Sequence, residues 1–121
     1  MKLCIILLIE DRDDVLEVWK IILARRGNFK VFCAKTLKKA HELFPQQQWD
    51  AIVFDGCVGG DEYNSEPLIK DFKPKCKYGC VLVAASNSKD LVELMVAAGC
   101  THLVTSKDQV PNLLYSIFRD Q

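Results

Sequence analysis

The strongest constraint in the sequence is an alternation that recurs five times along the chain. Each time, a short apolar run of strand length is followed by a segment whose apolar residues fall at three- and four-residue spacing. Leu3–Ile9 is a continuous apolar run, the pattern of a strand covered on both faces. After it, Val15, Leu16, Val18, Trp19, Ile22 and Leu23 trace one side of a helix that Asp13 or Asp14 can cap and Gly27 can stop. A second strand is predicted over Phe29–Ala34. Thr36 then caps a helix through Leu37, Ala40, His41, Leu43 and Phe44, ended by Pro45. The third strand is predicted over Asp50–Asp55, the fourth over Cys80–Ala85 and the fifth over Thr101–Thr105. Between them lie helices over Glu66–Phe72, with Pro67 in its first turn, and from the Ser88 cap through Leu91, Val92, Leu94, Met95 and Ala98 to Gly99. The last helix is expected over Pro111–Phe118.

Strands that alternate with helices pack as a parallel sheet with helices on both faces, because each crossover must bury its apolar stripe against the sheet. The expected fold is therefore α/β: a doubly wound, five-stranded parallel sheet in a three-layer α/β/α sandwich, flavodoxin-like. With 121 residues, the chain has the length of one domain. A single domain over residues 1–121 is expected, with nothing left over for an effector domain.

Composition narrows the function classes. Sixteen basic residues balance sixteen acidic ones, so no bulk positive field supports binding to nucleic acid. The Leu3–Ile9 run is too short for a membrane span and lacks a cleavage site after it. A cytoplasmic location without membrane contact is expected. The six cysteines sit mostly in or beside apolar runs, where they read as small buried hydrophobes. Cys76 and Cys80 form the one close pair, without a second pair or a nearby histidine, which gives little support to zinc.

In an open parallel sheet, ligands bind at the carboxyl ends of the strands. There the first strand runs into Glu10 and Asp11, the third ends in Asp55, the fourth leads to Ser86, and the fifth leads to Ser106 and Lys107. Gathered carboxylates repel one another, and a hard divalent cation relieves them. Mg2+ takes one or two carboxylates and keeps positions for water and phosphate oxygens, while a lysine adds a point charge for an anion. The set suits phosphoryl chemistry. No glycine-rich nucleotide loop follows the first strand.

The ordered set Ile9-Glu10-Asp11, Ile52-Val53-Phe54-Asp55, a small or hydroxyl strand end, and then Lys107 resembles the receiver domain of two-component response regulators (CheY-like), over nearly the whole chain. The resemblance implies a role for each residue. Asp55 would accept a phosphoryl group from the phosphohistidine of a histidine kinase or histidine phosphotransfer protein. Glu10, Asp11, Asp55 and the backbone carbonyl of Cys57 would hold Mg2+. Lys107 would pair with phosphoryl oxygens, and Ser86 would hydrogen-bond them. It also implies a stand-alone receiver, a monomer or weak dimer. Such a receiver turns over only its own phosphoryl group and signals by phosphorylation-dependent binding to a downstream target protein.

The sequence departs from the family in several places. Spacing puts Ala84 or Ala85 where the hydroxyl usually sits, Asp108 rather than proline follows Lys107, and His102, Leu103 or Val104 replaces the usual fifth-strand aromatic. Two alternatives stay open. One is a degenerate receiver acting as a phosphorylation-independent interaction module. The other is a metal-dependent phosphohydrolase, against which Cys57 counts, since it stands where a second aspartate would be required. Ser86 could equally serve as a turn or capping residue.

Overall fold

The sheet is ordered β2-β1-β3-β4-β5, with every neighbouring pair parallel. Its strands, in a computed structural model that describes residues 1–121, are β1 (Cys4–Ile9), β2 (Phe29–Ala34), β3 (Ala51–Asp55), β4 (Val81–Ala85) and β5 (His102–Val104). The helices are α1 (Asp13–Arg26), α2 (Leu37–Leu43), α3 (Glu66–Phe72), α4 (Lys89–Ala98) and α5 (Val110–Phe118). The expected doubly wound three-layer architecture is the one observed.

Residue alternation along the central strands builds two separate cores. Leu7, Ile9, Ile52, Phe54, Leu82 and Ala84 point to one face, where Ala40 and Leu43 of α2, Ile69 and Phe72 of α3, and Val92 and Met95 of α4 cover them. Ile6, Leu8, Val53, Val83 and Ala85 point to the other, under Leu16, Trp19 and Leu23 of α1 and Val110, Leu114 and Phe118 of α5. Because β1, β3 and β4 are buried on both sides, their apolar runs are unbroken.

Helix ends follow local chemistry. Thr36 accepts from the Lys39 amide and Ser88 from the Leu91 amide, as their positions predict. α4 ends at Gly99, whose φ of 138° is a left-side conformation that favours glycine. At α1 the expected cap differs. Arg12 occupies the cap position with no side-chain capping bond, and Asp13 and Asp14 lie inside the first turn, where their charge favours the helix N-terminus. Phe44 belongs to a 3-10 turn with Pro45 rather than to α2. Several strand ends are also shorter than expected. Leu3 is exposed and lies outside β1, and β5 keeps only three residues, with Leu103 exposed. Val18 and Leu94, expected on buried stripes, are about half exposed. All six cysteines are free; Cys4 and Cys100 are buried and the others are half-buried.

Asp50, just before β3, fastens the amino ends of three strands. Its Oδ2 accepts from the Ile5 amide at 2.7 Å, its Oδ1 meets Lys77 Nζ at 2.8 Å, and its carbonyl accepts from the Val81 amide at 2.9 Å. Asp50→Ala removes the charge-assisted bond to β1 and leaves the Ile5 amide without an acceptor. We expect a loss of about 2 kcal/mol in urea unfolding; a loss no larger than that of an exposed surface substitution would show the fastening to be idle.

Candidate phosphoryl-accepting site

The chain leaves β1 for the edge strand β2 and then returns past β1 to form β3, so the sheet order reverses between β1 and β3. Crossovers run away from each other there and open a crevice at the carboxyl ends of the two strands. Glu10 and Asp11 follow β1 into this crevice and Asp55 ends β3 beside them. Carboxylate oxygens of all three lie within 4.8 Å of one another, and no other group of three or more histidine, cysteine or acidic side chains is so placed. Asp11 and Asp55 line a cleft of about 490 Å³ together with Arg12, Cys57, Ser86 and Lys107, and Glu10 lies buried beneath it.

Lys107 reaches into the cluster from the loop after β5. Its Nζ stands 2.6 Å from Glu10 Oε1 and 3.2 Å from Asp55 Oδ1. Glu10 has no exposed surface at all. Burial, with the neighbouring Asp55, pushes its carboxyl up to about 8, against the pull of Lys107. Burial disfavours the charged form of Lys107 too, but the bonds and charges of Glu10 and Asp55 outweigh it and hold the ammonium above the ordinary lysine value. One ammonium among three carboxylates leaves the cluster short of positive charge.

The remaining expected residues also fall at the cleft. Ser86 is buried, and its Oγ accepts from the Ser88 amide at 3.0 Å. A hydroxyl that accepts in this way still has its own hydrogen to donate. The residue in register with Asp55 on β4 is Ala85, which in turn faces Val104 on β5. Neither a hydroxyl nor an aromatic side chain therefore stands in that row. Cys57 lies in the β3–α3 loop, which Asn64 closes by accepting from the Val58 amide at 2.9 Å and donating to the Val58 carbonyl at 2.8 Å. The peptide after Lys107 is trans, like every other.

Three residues at this end of the sheet carry no obvious mark in the sequence. Asn64 is one, although an asparagine in a glycine-containing loop is the usual signal of such a brace. The others are Asn87 and Trp19. Asn87 Oδ1 accepts from the Lys107 amide at 2.9 Å, and the Trp19 indole donates to the Lys107 carbonyl at 2.7 Å.

No family model matches the sequence, and no curated protein matches it. Solved structures do match. One is a response regulator from Burkholderia pseudomallei with a phosphorylated aspartic acid, a calcium ion and citrate. It is 19% identical with a TM-score of 0.78, the match covering 93% of this chain and 65% of that one. A receiver domain (CheY-like) from Methylobacillus flagellatus is 19% identical with a TM-score of 0.77, covering 96% of this chain and 99% of the other. The fold is that of response regulator receiver domains. A third receiver domain (CheY-like), from Methanospirillum hungatei, is 20% identical with a TM-score of 0.72, over 98% of this chain and 93% of the other. Many further receiver structures match with equal probability. No helix of this receiver fold is long and apolar enough to cross a membrane.

Proposed function

We propose that the protein is a signalling receiver that accepts a phosphoryl group on Asp55 and changes its affinity for another protein in response. The observation that carries this reading is the meeting of Glu10, Asp11 and Asp55 within 4.8 Å, with the Lys107 ammonium 3.2 Å from Asp55. The donor is a phosphohistidine on a histidine kinase or phosphotransfer protein. An Asp55 carboxylate oxygen attacks phosphorus, the phosphorus–nitrogen bond breaks, and the imidazole leaves with a proton. Transfer of this kind needs positioning and charge neutralisation more than covalent machinery.

The residues fit a divalent cation. The side-chain donors are hard carboxylate oxygens, and Glu10 is driven toward protonation first by its burial and then by its neighbour Asp55. Glu10, Asp11, Asp55 and the Cys57 carbonyl are the groups that would hold Mg2+. When bound, the ion neutralises charge on the phosphoryl oxygens. Lys107, 3.2 Å from Asp55, would meet the incoming anion, and the Ser86 hydroxyl would donate to it. Loss of the phosphoryl group to water returns the free carboxylate, so the protein turns over its own modification and no external metabolite.

The test is incubation with a small acyl phosphate and Mg2+, followed by intact mass. A gain of one phosphoryl group that disappears in Asp55→Asn is the expected outcome. A second reading rests on Ala85, which stands without a hydroxyl in register with Asp55: an interaction module that signals without phosphate. Absence of any mass gain at saturating donor would favour it and overturn the first.

A further inference from the structure

We infer that Trp19 and Asn87 are positioning residues for Lys107, holding its backbone from two elements so that its ammonium is aimed at Asp55. This rests on the phosphoryl-acceptor reading of the site. A lysine carries its charge on a flexible four-carbon stem, so the ammonium is placed only as well as the backbone that bears it. Lys107 sits at the start of a 3-10 turn, in a loop joining a three-residue strand to α5. That loop has little sheet of its own to fix it. Both polar groups of the Lys107 backbone are instead taken by side chains. The amide donates to Asn87 Oδ1 at 2.9 Å, and the carbonyl receives the Trp19 indole N–H at 2.7 Å in addition to the Val110 amide.

The two holders come from different places. Trp19 is in the middle of α1 and essentially buried, packed between α1, the sheet and α5. Asn87 is on the exposed β4–α4 loop, one residue after Ser86. Through Asn87 the loop that carries the candidate phosphate-binding hydroxyl is tied to the loop that carries the lysine. In register with Asp55, this chain has Ala85 facing Val104, a pair that offers no such tie. The hydrogen bond between Asn87 and Lys107 is thus the direct polar link between the β4–α4 and β5–α5 loops at the cleft.

The experiment compares Asn87→Ala and Trp19→Phe with wild type in phosphorylation by acyl phosphate, each also in a Lys107→Ala background. Asn87 is exposed, so its variant stays folded even if Trp19→Phe does not. Each single variant is expected to slow phosphorylation about tenfold, since small misplacements of a catalytic group carry large rate penalties. In the Lys107→Ala background neither is expected to cost more than about twofold, because the group being aimed is gone. Losses that multiply in that background, or single variants at wild-type rate, would overturn the inference. A second readout needs no phosphoryl donor: the NMR signal of the Lys107 ammonium, protected by Glu10, is expected to weaken in both variants. If wild type takes up no phosphoryl group, the acceptor reading fails on its own, and an ammonium signal unchanged in both variants would then overturn the positioning role.

Discussion

Lys107→Ala is expected to destabilise the protein by about 3–5 kcal/mol well above pH 8 and by less near pH 5. The size follows from what the substitution leaves behind. The Glu10 side chain is wholly buried and that of Asp55 is 7% exposed, and the lysine is the cation in contact with both. Removing one member of a buried ion pair strands the other charge in a poor solvent. The pH dependence follows from the sign of the Glu10 shift. Its carboxyl is already raised in the folded protein, and Lys107 is among the influences that lower it, so the variant raises it further. A carboxyl with a folded value above its unfolded value keeps its proton on folding. Below about pH 8 both proteins keep this proton on folding, so the extra penalty of the variant opens as pH rises above that value, where wild-type Glu10 ionises beside Lys107 and the variant's must do so unpaired. Urea unfolding at the two pH values checks the prediction. Equal losses at both would mean that the carboxylates are relaxed by water rather than by the lysine. In phosphorylation by acyl phosphate the same variant is expected to be about a hundredfold slower, the scale of losing one preorganised charge-stabilising donor.

How much of this could be read from the chain differs from element to element, for physical reasons. β1, β3 and β4 announce themselves because a strand buried on both faces must be apolar throughout, as Leu7, Leu8, Val53 and Val83 show. The caps at Thr36 and Ser88 are equally legible, since a cap is a local bond between residues three apart. Errors fall where burial depends on distant partners. Val18 fits the apolar period of α1, yet it belongs to neither core cluster, and half of it is exposed. β5 is an edge strand paired on one side only, and it ends where that pairing ends.

The site divides in the same way. Glu10, Asp11 and Asp55 were found because carboxylates at strand ends are a pattern of type and place. Lys107 followed from its position after the fifth strand. Asn87 and Trp19 could not be found so, because they act through the backbone of a residue 20 and 88 positions away. Ser86 shows the limit from the other side. Spacing leaves Ala84 or Ala85 at the hydroxyl position, and the strand register puts Ala85 opposite Asp55, with Ser86 one step further on. In a parallel sheet one step changes the face to which a side chain points. A hydroxyl at Ser86 therefore approaches the cleft from the loop rather than from the strand.

Divalent-cation affinity is expected to rise steeply with pH and then to level off above pH 8. Glu10 is fully buried and its carboxyl stands at about 8, so below that value it carries a proton in the metal-free protein. A cation competes with that proton, because an oxygen donor set binds best when deprotonated. One proton displaced per ion gives about a tenfold gain in affinity per pH unit, until Glu10 is ionised without help and the gain stops. Lys107 pulls in the same direction as the cation and keeps the deprotonated form accessible. Titration of Mg2+ at several pH values, followed by the fluorescence of the buried Trp19 or by calorimetry, reads this directly. Glu10→Gln separates the causes. The amide has no proton to displace, so its variant is expected to bind weakly with a flat profile over the same range. A flat profile in wild type would mean that Glu10 is already ionised by Lys107. The carboxylate-crowding argument for a metal would then rest on Asp11 and Asp55 alone.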